Sequence, residues 1–312
     1  MPVDVEILKK NTTKISSARV CFCSRSTAGS WEIRGRQIAK MRSNWQAIDS
    51  GSPIDIQAFD LFCMVKKVDK PLLQRIQAAG KPVVFDIVDS WKQPLEGLIF
   101  RNKAMVRWLF KKKWAAINAN GYIFPNRTMY DDLNTLVPNS TIIYHHYRPS
   151  IAINPIRPTV LKVGYEGAPF LGHWKKHIQK ICAIRGVEFV INPERLADID
   201  IVILVRGGRH ASFMATNYKS NVKIANAFGS GTPVLAHENE ASVRETGIDH
   251  IKFFNDQKGS FEQKLDELIA DLTLRVSIHE AFKKAATKVS ISEIADQTEV
   301  FFQKVLLQSV DK

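Results

Sequence analysis

Short apolar runs alternate along the chain with longer segments in which apolar residues recur every three or four positions. The runs at residues 18–24, 59–65 and 82–88 predict buried β-strands. The segments at 32–41 and 71–79 have helical spacing. Strands that alternate with helices indicate βαβ units around a parallel sheet.

A proline-rich stretch interrupts this alternation near the middle of the chain. Residues 148–158 read RPSIAINPIRP, and three prolines in eleven residues disfavour both a helix and a central strand. The pattern then restarts, with predicted strands at 160–165, 188–191 and 199–205. We therefore predict two α/β domains, residues 1–148 and 159–312, joined by a linker at 149–158.

The positive charge of the chain is concentrated in its first half. The 312 residues carry a net charge of +13, and residues 1–150 hold 23 basic and 12 acidic side chains against 21 and 19 in the remainder. A one-sided positive field attracts polyanions, such as nucleic acid, an anionic membrane surface or a phosphorylated substrate. A basic surface without any partner is the plain alternative.

Cysteine usage and apolar content indicate the cellular compartment of the protein. Cys21, Cys23, Cys63 and Cys182 form no CxxC pair and no Cys/His cluster, which favours core side chains in a reducing compartment. No apolar run approaches the roughly 20 residues that span a bilayer, and the first 15 residues lack a signal-peptide core. We expect a cytoplasmic protein, with peripheral contact on the inner face of a membrane left open.

The most informative segment is YKSNVKIANAFGSGTPVLA, residues 218–236. Ser220 or Asn221 is a good N-cap, and a helix N-terminus presents free N–H groups and the positive end of the helix dipole. Lys219 and Lys223 add full charges in a turn where cations are normally disfavoured. Such a helix start suits a phosphate or diphosphate.

Within that segment, AFGSGTPV at residues 227–234 resembles the donor-binding segment of GT-B glycosyltransferases, especially the large retaining family 4. The chain departs from the family where two glutamates eight positions apart are expected, because Tyr218 and Asn226 stand there. The resemblance covers about residues 18–300. It implies an α/β fold of two Rossmann-like domains facing across a cleft, with a last helix that can pack back on the first domain.

The resemblance implies that the C-terminal domain binds a nucleotide-diphosphate sugar. The residues expected to bind this donor are Gly29, Ser30, Glu166, Arg206, Lys219, Ser220, Lys223, Asn226 and Thr232. The cations would neutralise the leaving diphosphate, Asn226 would contact ribose and Thr232 would line the pocket. No metal ion and no cofactor besides this co-substrate are expected. The acids of Asp198-Ile199-Asp200 precede their strand, at the end remote from a doubly wound active site.

The first half supplies the candidate catalytic and acceptor residues. Asp89 follows a predicted strand and would act as a general base, and His145 would act as acid/base or as a sugar ligand. Residues 101–114 combine cations with aromatics at helical spacing, which suits anionic lipid, nucleic acid, or simply a helix with its aromatics in the core. The acceptor or membrane candidates are Arg34, Lys103, Arg107, Lys111 and Trp114.

The resemblance implies a metal-independent glycosyltransferase, retaining rather than inverting, and the charge of the first half favours an anionic acceptor such as lipid-linked or envelope glycan. A phage-type DNA-base glycosyltransferase is one alternative. A GT-B-fold nucleotide-sugar epimerase is another, and it would need cleft carboxylates, for which the sequence offers Asp89 and Glu166. A non-enzymatic basic nucleic-acid-binding protein is the third. The pattern makes no prediction about oligomeric state.

Overall fold

The computed structural model describes residues 17–27, 29–49, 51–89, 103–168, 171–208 and 211–310; the segment considered for a signal peptide and residues 101–102 lie outside them. Two parallel sheets organise these residues. The first sheet contains β1 (Val20–Ser24), β2 (Trp45–Asp49), β3 (Leu61–Val65), β4 (Val83–Asp86), β5 (Gly121–Phe124) and β6 (Ser140–Ile142). The second contains β7 (Lys162–Tyr165), β8 (Glu188–Ile191), β9 (Ile201–Leu204), β10 (Val234–His237) and β11 (Lys252–Phe254).

Helices connect and cover these strands. In the N-terminal domain they are α1 (Gly29–Trp31, continuing as a π-helical stretch over Glu32–Gln37), α2 (Lys70–Ala78), α3 (Lys103–Lys113) and α4 (Arg127–Leu133). After the linker come α5 (Trp174–Ile184), α6 (Phe213–Asn217), α7 (Val222–Ser230), α8 (Ala241–Arg244), α9 (Ser260–Ala270), α10 (Leu272–Ala286) and α11 (Ile291–Val310).

The strand order of both sheets places a crevice at a defined position. The orders are β2-β1-β3-β4-β5-β6 and β8-β7-β9-β10-β11, which are doubly wound arrangements. The order reverses between β1 and β3 and between β7 and β9, and ligands of such sheets bind outside the carboxyl ends of those strands. The predicted α/β class with two Rossmann-like domains is confirmed. The edge strand β2 was not predicted, because its buried and exposed positions do not form an apolar run.

Two later segments of the chain pack on the N-terminal domain. The ring of Phe302 in α11 lies 5.7 Å from that of Phe22 and 5.6 Å from that of Trp45. Met214 and Tyr218, at and after α6, are buried in the hydrophobic core on the other face of the same sheet. The N-terminal domain is therefore completed by residues from the second half of the chain.

Candidate functional site

Three cationic side chains meet where the second sheet reverses its strand order. Arg206 follows β9, Lys223 lies in the first turn of α7, and Lys219 precedes that helix. Burial, followed by the charge of Arg206, lowers the pKa of Lys223 to about 7. Burial also lowers the pKa of Lys219, and the charge of Arg206 contributes to that shift. The structure thus brings together the cations that the sequence analysis assigned to a diphosphate.

Each of these cations has a protein partner. Arg206 forms an ion pair with Glu240, and both side chains are at most 10% exposed. Lys219 Nζ lies 2.5 Å from Asp89 Oδ2 of the N-terminal domain. Lys223 Nζ donates to the Tyr165 hydroxyl at 2.9 Å and lies 4.0 Å from the centre of that ring. An anion that enters must therefore compete with two carboxylates for the cations.

The helix at this site has Asn221 as its N-cap, one of the two residues predicted for that position. Helix α7 begins at Val222, so Ser220 lies before the helix. Its N-cap, Asn221, makes no side-chain hydrogen bond to its own helix. The Asn221 amide instead accepts from the His145 backbone N–H at 2.7 Å, which directs the start of α7 toward the N-terminal domain.

Two of the expected donor contacts have structural roles instead. The Asn226 amide donates to both oxygens of Glu166, at 3.0 and 3.2 Å, and accepts from the Arg148 backbone N–H at 2.9 Å. Asn226 therefore positions Glu166, whose carboxylate also pairs with Arg148. The assignment of Thr232 to the pocket is wrong, because Thr232 is fully buried past the far end of α7 and hydrogen-bonds to Ser230.

Asp89 is placed as an ion-pair partner, which opposes the predicted role of general base. Its oxygens lie 2.5 Å from Lys66 Nζ and 2.5 Å from Lys219 Nζ. Burial would raise the pKa of Asp89, but the two lysines outweigh it and lower that pKa to about 2. A carboxylate of such low pKa is a weak base near neutral pH.

His145 and the start of α1 contribute polar atoms without partners on the N-terminal side. Both ring nitrogens of His145 are buried and make no hydrogen bond within the described residues, and the same holds for Ser30 Oγ. Burial lowers the pKa of His145 well below its usual value, so the ring is neutral. Gly29, beside Ser30, has open space where a Cβ would stand. Such unsatisfied buried groups are uncommon in folded proteins.

Most of the predicted acceptor residues are engaged within the protein. The assignment of Arg34 to the acceptor site is wrong. Its side chain is 3% exposed, its Nε lies 2.7 Å from Asp86 Oδ2, and it donates to the Tyr144 carbonyl. It is therefore enclosed in the domain and cannot meet an acceptor. Lys103 pairs with Asp132.

The remaining predicted acceptor residues lie in α3 or just after it. Arg107 donates to the Asp132 carbonyl and to Thr135. Trp114 is partly buried and its ring is stacked on Phe110 at 6.3 Å, so the aromatic stripe is largely core. Lys111 is exposed. Trp108, which the sequence analysis passed over, is 58% exposed and carries Lys112 Nζ 4.3 Å from its ring centre.

The Asp198-Ile199-Asp200 motif has a structural explanation. Asp200 is buried, accepts from the backbone N–H groups of Leu161 and Lys162, and pairs with Arg157 at 2.9 Å. Within the described residues there is no group of three or more His, Cys, Asp or Glu placed to hold a metal ion. In the same part of the chain, no helix has the length and apolarity to cross a membrane.

The sequence did not predict Lys66 at the site, nor the contact that Tyr218 makes with the N-terminal domain. Lys66 directly follows β3, where the first sheet reverses its order, so the strand-end rule alone could have found it. Tyr218 is buried among N-terminal core residues and its hydroxyl donates to Asp132 at 2.7 Å. No local pattern indicates that contact.

Three solved structures align with most of the chain. HepE from Anabaena, in complex with UDP and glucose, gives a TM-score of 0.55 at 12% identity and covers 92% of this chain and 100% of its own. WaaG, a glycosyltransferase involved in lipopolysaccharide biosynthesis, gives 0.52 at 10% identity, with 91% and 99% covered. A trehalose-6-phosphate structure from E. coli bound with UDP-2-fluoro glucose gives 0.55 at 8% identity, with 91% and 99% covered. No protein-family model matches the chain, and no curated protein sequence does either.

Proposed function

Because the chain has the two-domain fold of the GT-B glycosyltransferases, we propose that it transfers a sugar from a nucleotide-diphosphate sugar to an acceptor hydroxyl. The observation that carries this proposal is the convergence of Arg206, Lys219 and Lys223 at the strand-order reversal of the C-terminal sheet. No metal ion is required, because three cations and the start of α7 supply positive charge where the leaving diphosphate becomes more negative.

The chemistry follows from how these cations are held. When the donor binds, its phosphate oxygens replace Asp89 as the partner of Lys219 and the Tyr165 hydroxyl as the partner of Lys223. As the bond between the sugar and the diphosphate breaks, the buried cations stabilise the developing charge. Asp89 keeps its ion pair with Lys66 when Lys219 turns to the diphosphate, so the acceptor proton is proposed to pass to an oxygen of the leaving group, as in a retaining reaction.

The acceptor is proposed to bind the N-terminal domain. The first half of the chain carries an excess of 11 basic residues, from 23 basic and 12 acidic side chains, so an anionic acceptor is favoured. A lipid-linked or envelope glycan handled by a cytoplasmic enzyme at the inner face of a membrane is the first choice. Neutral His145 and Ser30, whose polar atoms have no partner in the described residues, are proposed to contact the transferred sugar or the acceptor.

Calorimetric titration with UDP, GDP and ADP sugars and CMP-linked sugars tests the donor site. The variant Lys219→Ala with Lys223→Ala is expected to bind the best ligand at least about tenfold more weakly, equivalent to about 1.4 kcal/mol. The matched control is Lys252→Ala with Lys264→Ala, which removes two lysines that pair with Glu267 outside the site. Wild-type affinity in the first variant would contradict the diphosphate assignment. Salt-sensitive DNA binding with no nucleotide-sugar binding would favour the nucleic-acid-binding alternative.

A further inference from the structure

A cavity of about 540 Å³ lies between the two domains, with its walls on elements of both. Ile142 and Tyr144, at and after β6, form its N-terminal wall. The opposite wall comes from α7, α8 and α10 and includes Ile224, Phe228 and Ala285. Its volume falls within the roughly 300–1,000 Å³ of typical small-molecule sites.

This cavity is separate from the donor site, although both use α7. Lys223 and Asn226 contact the donor-site residues Tyr165 and Glu166. Ile224 and Phe228, four positions apart, share another stripe of the helix and line the cavity. The helix therefore stands between two compartments, one cationic and one apolar.

Two of the polar side chains that line the cavity already have protein partners. The Glu245 carboxylate accepts from the backbone N–H groups of Arg127 and Thr128 at 2.8 and 2.7 Å, at the start of α4. The Asn221 amide is held by the His145 backbone. A ligand in the cavity would consequently meet mostly apolar surface below the rim.

Two lysines stand at the rim. Lys284 and Lys288 line the cavity, are exposed, and are four residues apart. Among the ion pairs of the described residues, none involves Lys284 or Lys288. Apolar walls with two cations at the mouth match a molecule that is apolar at one end and anionic at the other.

We propose that this cavity binds a monomeric single-chain amphiphile with a phosphate or carboxylate head group. The alkyl chain lies against Ile224, Phe228 and Ala285, and the head group lies between Lys284 and Lys288. Removal of apolar surface from water drives binding, and the lysines select the charge of the head group. The inference goes beyond sugar transfer and does not depend on it.

Calorimetry with dodecyl phosphate below its micelle concentration tests the proposal. We expect saturable binding near one molecule per chain and no comparable binding of dodecyltrimethylammonium, which has the same alkyl chain and the opposite charge. Lys284→Glu with Lys288→Glu should weaken binding at least about tenfold. The control Lys180→Glu with Lys258→Glu changes the net charge equally at exposed positions outside the cavity and should bind as the wild type does.

A second variant tests the apolar walls independently. Ala285→Phe fills part of the cavity and should also weaken dodecyl phosphate binding, while urea unfolding reports whether the variant is folded. Should it fail to fold, the lysine variant still decides the question. Equal binding by the lysine variant and its control would overturn the proposal, as would equal binding of the cationic amphiphile. Binding to anionic phospholipid vesicles without binding of monomeric dodecyl phosphate would also overturn it, in favour of a membrane surface.

Discussion

Replacing Arg34 by methionine tests whether this residue serves the fold or a ligand. Arg34 and Asp86 are each 3% exposed in their side chains, and Arg34 Nε lies 2.7 Å from Asp86 Oδ2. Arg34 also donates to the Tyr144 carbonyl at 2.8 Å. Methionine keeps much of the apolar stem and removes both interactions, so Asp86 would be left as a buried carboxylate without its cation.

The expected loss of stability is large. Breaking a buried ion pair by removing one partner costs about 3–5 kcal/mol, which is a major part of the roughly 5–15 kcal/mol that stabilises a typical domain. The loss should depend on pH. Burial already raises the pKa of Asp86 while Arg34 opposes that rise. Without Arg34 the carboxyl group takes up a proton at higher pH, so the penalty shrinks as the pH falls from 8 to 5.5.

Urea unfolding of the wild type, Arg34→Met and Arg34→Met with Asp86→Asn provides the measurement. The double variant should be more stable than Arg34→Met, because asparagine keeps a hydrogen-bond acceptor for the Val88 N–H without the buried charge. A loss below about 1 kcal/mol in the single variant, or the same loss at both pH values, would refute the reasoning. The ion pair of Arg34 with Asp86 would then contribute little to the stability of the fold.

Three further outcomes are expected. Gly229→Ala should lower the free energy of unfolding by about 1–3 kcal/mol, because the added Cβ would lie 2.5 Å from Cγ of Tyr147. The control is Gly29→Ala, whose added Cβ has no atom within 4 Å, and it should leave the stability in urea unchanged. Nucleotide affinity should fall as the pH rises above about 7, since Lys223 with a pKa of about 7 loses its proton; calorimetry on Lys223→Gln should show a flatter profile between pH 7 and 9. Tyr218→Phe should cost about 1–3 kcal/mol in the same unfolding assay, because a buried carboxylate loses its hydrogen bond; unchanged stability would show that the contact contributes nothing.

Local sequence patterns were sufficient to predict the architecture and to select some residues of the candidate site. The apolar runs and their spacing predicted most strands, because a strand of a parallel sheet is buried on both faces and reads as an apolar run. Arg206 and Lys219 could be selected because the strand-end rule and the helix-start rule depend on neighbours in sequence. Asn221, one of the two predicted N-caps of α7, is the N-cap, but its side chain accepts from the His145 backbone and makes no bond to its own helix, which no local rule indicates.

The sequence by itself determined the α/β architecture with two parallel sheets, and it singled out the cations that lie near the strand-order reversal of the second sheet. Only the tertiary structure decided what those cations touch. Asp89 reaches Lys219 across 130 positions of sequence, and Arg34 meets Asp86 across 52. Burial and pairing decide whether a charged side chain is a ligand contact, a weak base or part of the core. Burial and pairing depend on which distant segments pack together, and hydrophobic periodicity does not indicate which segments those are.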